Sequence, residues 1–435
     1  MHFFYIYAIM KSAELIFYER ENTKMKKALK VILIIIAVLA VIFIGFSVAN
    51  KLHEGAMNDY IDSFAKVEYD NQLTPQYDED GVAYFVTDGD FKIMHITDVH
   101  IGGGVLSAEL DKKAINAVAA MITAEKPDLV VASGDISFAV PWSGTINNAY
   151  AHEYFKRLMD NLGVYWTVTF GNHDSEAYDF YGREAVAQMY EDESLKYCLF
   201  DSNDGGIYGE GNHVINVRNT SGLITKTIIM MDTNAYTDED PLGINWIYDN
   251  IHEDQIEWYR GVITKYSKYN SDLLATLPDS EKPENIADFT TVQSMLFVHI
   301  PIMEVREAVN LYLDEAKTDE LEYLGGKIGE SDPYVYCSEI EEEMFETMLE
   351  LGSTKAMFYG HDHLNNIVLK YKGITLSYGY SIDYFAYAGI DKIGSQRGCT
   401  VINCAPDTSF KITHESYYQD KYLPLYEKEV VDLTN

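Results

Sequence analysis

Six short apolar runs set the architecture open to this chain. Phe91–Ile96, Leu129–Ala132, Tyr165–Phe170, Ile228–Met231, Met295–Val298 and Ala356–Tyr359 are each four to six residues long and stop abruptly at polar residues. Runs of this length, rich in Val, Ile and aromatics, read as strands buried on both faces. Between them lie helical stretches such as Ser107–Ala124, where Leu110, Ala114, Val118 and Met121 recur at three- and four-residue intervals. Alternating strands and helices imply an α/β sheet with helices on its faces. With 435 residues the chain suffices for one large domain or two ordinary ones.

The residues after these runs are the kind that hold metals. Asp98 and His100 follow the first run, Asp135 the second, and Asn172, His173 and Asp174 the third; His299 closes the fifth, and His361 and His363 follow the sixth. Open α/β sheets bind ligands at the carboxyl ends of their strands, so one arrangement brings all of these side chains to one edge. Asp98 and His100 are two apart, as are His361 and His363, so on an extended chain each pair points to one side. Gly134, Gly171 and Gly360 let the backbone turn sharply beside them. A lone Gly-Asp or a lone His is usually only a turn or a satisfied polar residue. Here five of the twelve histidines fall into four ordered motifs, which a chance scatter does not produce. His2, His53, His95, His152, His213, His252 and His414 have no such context and read as structural or surface residues. Asp, Asn and neutral His without Cys suit Mn, Fe or Zn.

The order Asp98-Val-His100, Gly134-Asp135, Gly171-Asn172-His173-Asp174, His299 in Val-His-Ile-Pro and Gly360-His361-Asp-His363 resembles the calcineurin-like metallophosphoesterase superfamily. Asp254–Trp258 and Val298–Pro301 are most similar to its purple-acid-phosphatase-like branch. The resemblance implies an α/β sandwich with two central mixed sheets flanked by helices, over residues 91–435. It implies a first metal held by Asp98, His100, Asp135 and His363, with Asp135 bridging to a second held by Asn172, His299 and His361. Two divalent transition-metal ions would clamp a phosphate ester and activate water for attack. His173 would protonate the leaving oxygen, with Asp174 orienting it. One departure stands out: purple acid phosphatases place a metal-binding Tyr three residues after the bridging Asp, where this chain has Phe138. The activity implied is phosphomonoester hydrolysis. Phosphodiester hydrolysis and a membrane-anchored binding protein with structural metals are the alternatives.

Val31–Asn50 is an uncharged apolar run after Lys26, Lys27 and Lys30. Twenty helical residues span roughly 30 Å, so this is a transmembrane helix or a signal sequence cut near Ala49, with the chain after Lys51 outside. Met25-Lys26-Lys27 reads as the start of this targeting segment, with residues 1–24 a candidate upstream extension. Residues 51–90 read as a polar stalk, and Glu304–Leu351 as an acidic, helix-prone insertion, either a surface excursion or a substrate lid.

The 68 acidic against 33 basic residues give a net charge of -35, which excludes an extended nucleic-acid-binding face but not a small phosphorylated substrate. Cys198, Cys337, Cys399 and Cys404 form no CxxC pair and read as reduced, partly buried thiols in preference to a Cys399–Cys404 disulfide. Asp232-Thr233-Asn234 reads as a structural turn in preference to a pocket wall. The tyrosines from Tyr378 to Tyr387 are core and surface aromatics, or else face a nucleobase or sugar.

Overall fold

The computed structural model describes residues 2–203, 206–332, 334–387, 390, 397–426, 428–429 and 431, with side chains from Lys26 onward except Ala28. The segment read as an upstream extension therefore has no described side chains. The chain divides into two compact units, 1–53 and 54–435. Its elements begin with α1 (His2–Asp62), β1 (Gln76–Tyr77), β2 (Ala83–Val86), β3 (Phe91–Ile96), α2 (Ala108–Glu125), β4 (Leu129–Ser133), α3 (Ala149–Leu162), β5 (Trp166–Thr169), α4 (Arg183–Tyr190), β6 (His213–Arg218) and β7 (Ile224–Met230). They continue with α5 (Glu253–Thr276), α6 (Ala287–Thr290), β8 (Ser294–Phe297), α7 (Met303–Leu313), β9 (Leu321–Gly325), α8 (Met344–Leu351), β10 (Thr354–Tyr359), β11 (Val368–Tyr371), β12 (Ile374–Tyr378), β13 (Gly398–Cys404) and β14 (Phe410–Ser416).

Two mixed sheets form, in the orders β1-β2-β6-β7-β8-β10-β12-β11-β9 and β14-β13-β3-β4-β5. Within the smaller sheet β3, β4 and β5 are parallel, and in the larger one β7, β8, β10 and β12 are parallel neighbours. Period-two alternation explains why these strands look uniformly apolar. Ile93 of β3 and Val131 of β4 meet Met295 and Phe297 of β8 and Phe358 of β10 between the sheets. The alternate residues Met94 and Val130 pack outward with Ile115 of α2 and Phe155 of α3. Leu296 and Met357 pack outward on the other side with Tyr259 of α5, Val305 of α7 and Phe345 of α8. A side chain fully buried this way contributes about 1.5–3 kcal/mol, so both faces of each strand hold the layers together.

Two expectations are corrected. Residues 51–90 are not a free stalk. Met57, Tyr60, Ile61, Phe64 and Val67 lie in the same apolar cluster as α2 and α3, and β2 pairs in parallel with β6. The stretch misleads because its buried residues alternate with Asp59, Asp62 and Lys66 on one helix turn and the loop beyond. The 304–351 insertion is not an excursion either. Its helices α7 and α8 cover the outer face of the larger sheet, and β9 pairs with β11 as an edge strand.

The four cysteines are free. Cys399 packs on the outer face of the smaller sheet and Cys404 between the sheets, so adjacency in sequence does not bring them together. In α1, the side chains of Val31–Val41 are exposed, and Leu29–Asp62 contains a stretch long and apolar enough to cross a membrane.

Candidate metal centre

Five parallel strands end at one edge and deliver the expected residues there. β3 is followed by Asp98 and His100, β4 by Asp135 and β5 by Asn172, all from the smaller sheet; β8 is followed by His299, and β10 by His361 and His363, from the larger. Ligating atoms of Asp98, His100, Asp135 and His363 lie within 4.8 Å of one another, and so do those of Asp135, His299 and His361. Asp135 is common to both groups. Its Oδ2 stands 3.3 Å from His100 Nε2 and 3.0 Å from His299 Nε2.

Asn172 is buried in the loop after β5. Its Nδ2 donates to the Tyr236 hydroxyl at 2.9 Å, which fixes the amide and leaves Oδ1 buried without a partner. The same is true of both ring nitrogens of His100, Asp135 Oδ2 and His299 Nε2: the close contacts above lack hydrogen-bond geometry. An unpaired buried polar atom costs about 1–3 kcal/mol, so unpaired atoms on four side chains at these strand ends call for a ligand. Electrostatics agree. Burial pushes the Asp98 and Asp135 carboxyls up, but the surrounding imidazoles outweigh it and hold both below the usual range. Burial pushes His299 down, yet Asp135 and Asp98 lift it to about 9. The cluster demands positive charge. Carboxylate, amide oxygen and imidazole donors fit two Mn, Fe or Zn ions.

The backbone geometry departs from the extended pairs expected. Asp98, His100, Asp135 and His361 all have positive φ, at 52°, 50°, 51° and 73°. Each such residue costs of order 1 kcal/mol, and strain of this kind collects at functional sites. The pairs converge through left-handed turns after the strands, not by strand alternation. Gly134, at φ 90°, could carry no side chain: a Cβ there would meet His299 Nδ1 at 2.8 Å and the Gly171 backbone.

Asp174 is also corrected. Its carboxylate accepts the backbone amides of Asp135, Ile136, Ser137 and Gly171 at 2.8–3.0 Å, pinning the loops after β4 and β5 together. The group on the His173 ring is Glu176, whose Oε1 lies 2.7 Å from Nδ1. His173 itself is tied through its backbone N–H to Asp135 Oδ1 at 2.8 Å, and it stands beside the metal ligands without belonging to either group.

Asp383 was also missed. Its Oδ2 lies 3.3 Å from His363 Nδ1, and its carboxylate takes the amides of Phe385, Ala386 and Tyr387. His299 is oriented by the Ser133 carbonyl, 2.7 Å from its Nδ1. Glu176 sits three residues from His173 and Asp383 in the tyrosine-rich stretch, and neither stands out by its spacing in an acidic chain. Asp232-Thr233-Asn234 is a turn. Asp232 pairs with Arg183 at 2.6 Å, and Thr233 Oγ1 accepts the Ile300 amide. His95, His152 and His213 are buried and hydrogen-bonded to Ser133, Tyr190 and Thr167, as structural histidines should be.

A family model for the calcineurin-like phosphoesterase domain matches residues 91–365, which include every residue of both groups. The chain belongs to that family. It is similar to Arabidopsis thaliana proteins named probable inactive purple acid phosphatase 28 (25% identical, covering 70% of this chain and 73% of that protein) and 14 (26% identical, covering 70% and 74%). Among solved structures, a dimetal phosphatase from Danio rerio covers 76% of this chain at 11% identity, with a TM-score of 0.45. In this family member Phe138 packs edge-on to His100 and His173, with ring centroids 5.5 and 4.9 Å apart, and so offers the first metal no phenolate.

Proposed function

We propose that this phosphoesterase is a dinuclear metal enzyme that hydrolyses phosphomonoesters. The observation that carries the reading is the pair of ligand groups sharing Asp135, with His173 beside them and outside both. Asp98, His100, Asp135 and His363 would hold one ion, and Asp135, Asn172, His299 and His361 the other. When bound, such ions neutralise phosphoryl oxygens and acidify water. The chain's own residues do the rest. His299 is braced by the Ser133 carbonyl, which fixes which of its ring nitrogens faces the centre, and the Asp383 carboxylate stands 3.3 Å from His363 Nδ1. Glu176 holds His173 Nδ1, so Nε2 is the atom that gives a proton to the departing oxygen. Ligand set, His173 and brace are all intact, which supports an active enzyme despite the names of its relatives.

The test is hydrolysis of p-nitrophenyl phosphate beside bis-p-nitrophenyl phosphate by the full chain in detergent, with Mn²⁺, Fe²⁺ or Zn²⁺ and Asp135→Ala as control. Preference for the monoester supports the reading, and preference for the diester replaces it with a phosphodiesterase. Metal-loaded protein inactive on both, or an Asp135→Ala variant that stays active with two ions bound, overturns it.

The apolar part of α1 acts as a membrane anchor, with the catalytic unit outside the cell membrane. Retention in the membrane after carbonate washing, with cleavage of the catalytic unit by protease added to intact cells, is the expected result. Release into the medium would support signal cleavage instead.

A further inference from the structure

Beside the metal centre lies a group of rings that the chemistry above does not use. Phe138 is its hub. Its ring meets His173 at 4.9 Å, Trp142 at 6.2 Å and Phe385 at 5.8 Å, each edge to face. Edge-to-face packing ties rings together while leaving other faces free. Trp142 is 63% exposed, an unusual position for the largest apolar side chain, and it is carried on a short turn of helix at Pro141–Ser143. That turn is firmly seated: Ser143 is buried, and its hydroxyl donates to the Val140 carbonyl at 2.8 Å. Phe385 comes from the loop whose amides are held by Asp383, the carboxylate beside His363. The rings therefore keep register with the metal ligands.

We propose that Phe138, Trp142 and Phe385 form the leaving-group subsite, and that the substrate's leaving group carries a planar aromatic base, as in a nucleoside monophosphate. The inference rests on the phosphoesterase reading. His173, the group that protonates the departing oxygen, touches Phe138, so whatever is attached to that oxygen passes over these rings. A sugar alone would leave Trp142 in water, whereas a nucleobase covers its face, and base–aromatic stacking accounts for a tenfold or greater preference. A mononucleotide carries only one phosphate, so the acidic surface that disfavours polynucleotides does not disfavour it.

The experiment compares adenosine 5′-monophosphate with ribose 5-phosphate, which release the same primary alcohol and differ by the base. With Mn²⁺-loaded full-length protein, kcat/KM should favour the nucleotide by about tenfold or more. Trp142→Ala should bring that ratio to within about twofold of one, and Trp142→Phe should keep most of it. Equal values in the wild type, or a ratio that Trp142→Ala leaves intact, overturns the proposal. Adenosine binding by equilibrium dialysis gives a readout without turnover. Wild-type protein should retain adenosine and Trp142→Ala should bind it at least about tenfold more weakly. If neither ester is hydrolysed but adenosine still binds through Trp142, the phosphoesterase reading fails and the aromatic subsite stands. No adenosine binding by the wild type removes the subsite.

Discussion

Glu176 takes His173 Nδ1 at 2.7 Å from a side chain only 7% exposed, which makes the pair a unit. Burial pushes His173 down, but Asp135 and Glu176 together outweigh it and raise the ring above the usual histidine value, the direction that favours a proton donor. His173→Ala should keep both metal ions by elemental analysis and lose about 10²-fold or more in kcat. Near-wild-type turnover would remove His173 from the chemistry. Glu176→Gln keeps the size of the side chain but not its charge, and should cost between about tenfold and 10²-fold in kcat with metal content unchanged. An unaltered kcat in that variant would reduce Glu176 to a packing residue. His173 was legible in the sequence because it sits inside a motif. Glu176 was not, since an acidic residue three positions on is ordinary in a chain with 68 of them.

Elements carry the next level, and Asp174 shows how. One carboxylate closes four backbone amides from two loops, the loop after β4 that bears Asp135 and the loop after β5 that bears Asn172. Asp174→Ala strands those amides in a buried site at about 1–3 kcal/mol each. The expected result is a fall in Tm of about 5 °C or more together with loss of bound metal. A folded variant with both ions and normal Tm would show that the loops hold without it. The six strands were readable because both their faces are buried, so apolar residues run unbroken. The helical end of α1 was not. Met57 and Ile61 are fully buried, yet they stand among charged neighbours that a composition scan reads as polar linker. A chain beginning at Glu54 should therefore stay folded. One beginning at Glu68 loses Met57, Ile61, Phe64 and Val67 from the core, about 6–12 kcal/mol in all, and should be insoluble. Equal thermal melts for the two would restore the stalk reading.

At the scale of the molecule, the site exists only because two sheets keep their strand ends together, and no pattern within one strand announces that pairing. The motif order made the outcome legible through resemblance; the residues that lock the sheets were silent. Lys226 is one of them. It lies on β7 of the larger sheet, and its ammonium donates to the Thr408 carbonyl in the turn between β13 and β14 of the smaller one. Gln293 Oε1 lies 3.4 Å away. Burial pushes this lysine down from the usual 10.5 to about 8. Below pH 8 both folded and unfolded chains carry the proton, and the folded state bears the full cost of a buried charge. Between pH 8 and 10.5 the folded state gives up the proton while the unfolded state keeps it. The unfolded state then binds more protons, so this lysine's contribution to stability rises with pH. The shift corresponds to about 3 kcal/mol over that window. Lys226→Met has no proton to lose. Thermal melts of both proteins from pH 7 to 10 should show the wild type gaining on the variant as pH rises. A constant difference across that range would mean that Lys226 keeps an ordinary lysine pKa and that water reaches the joint between the sheets.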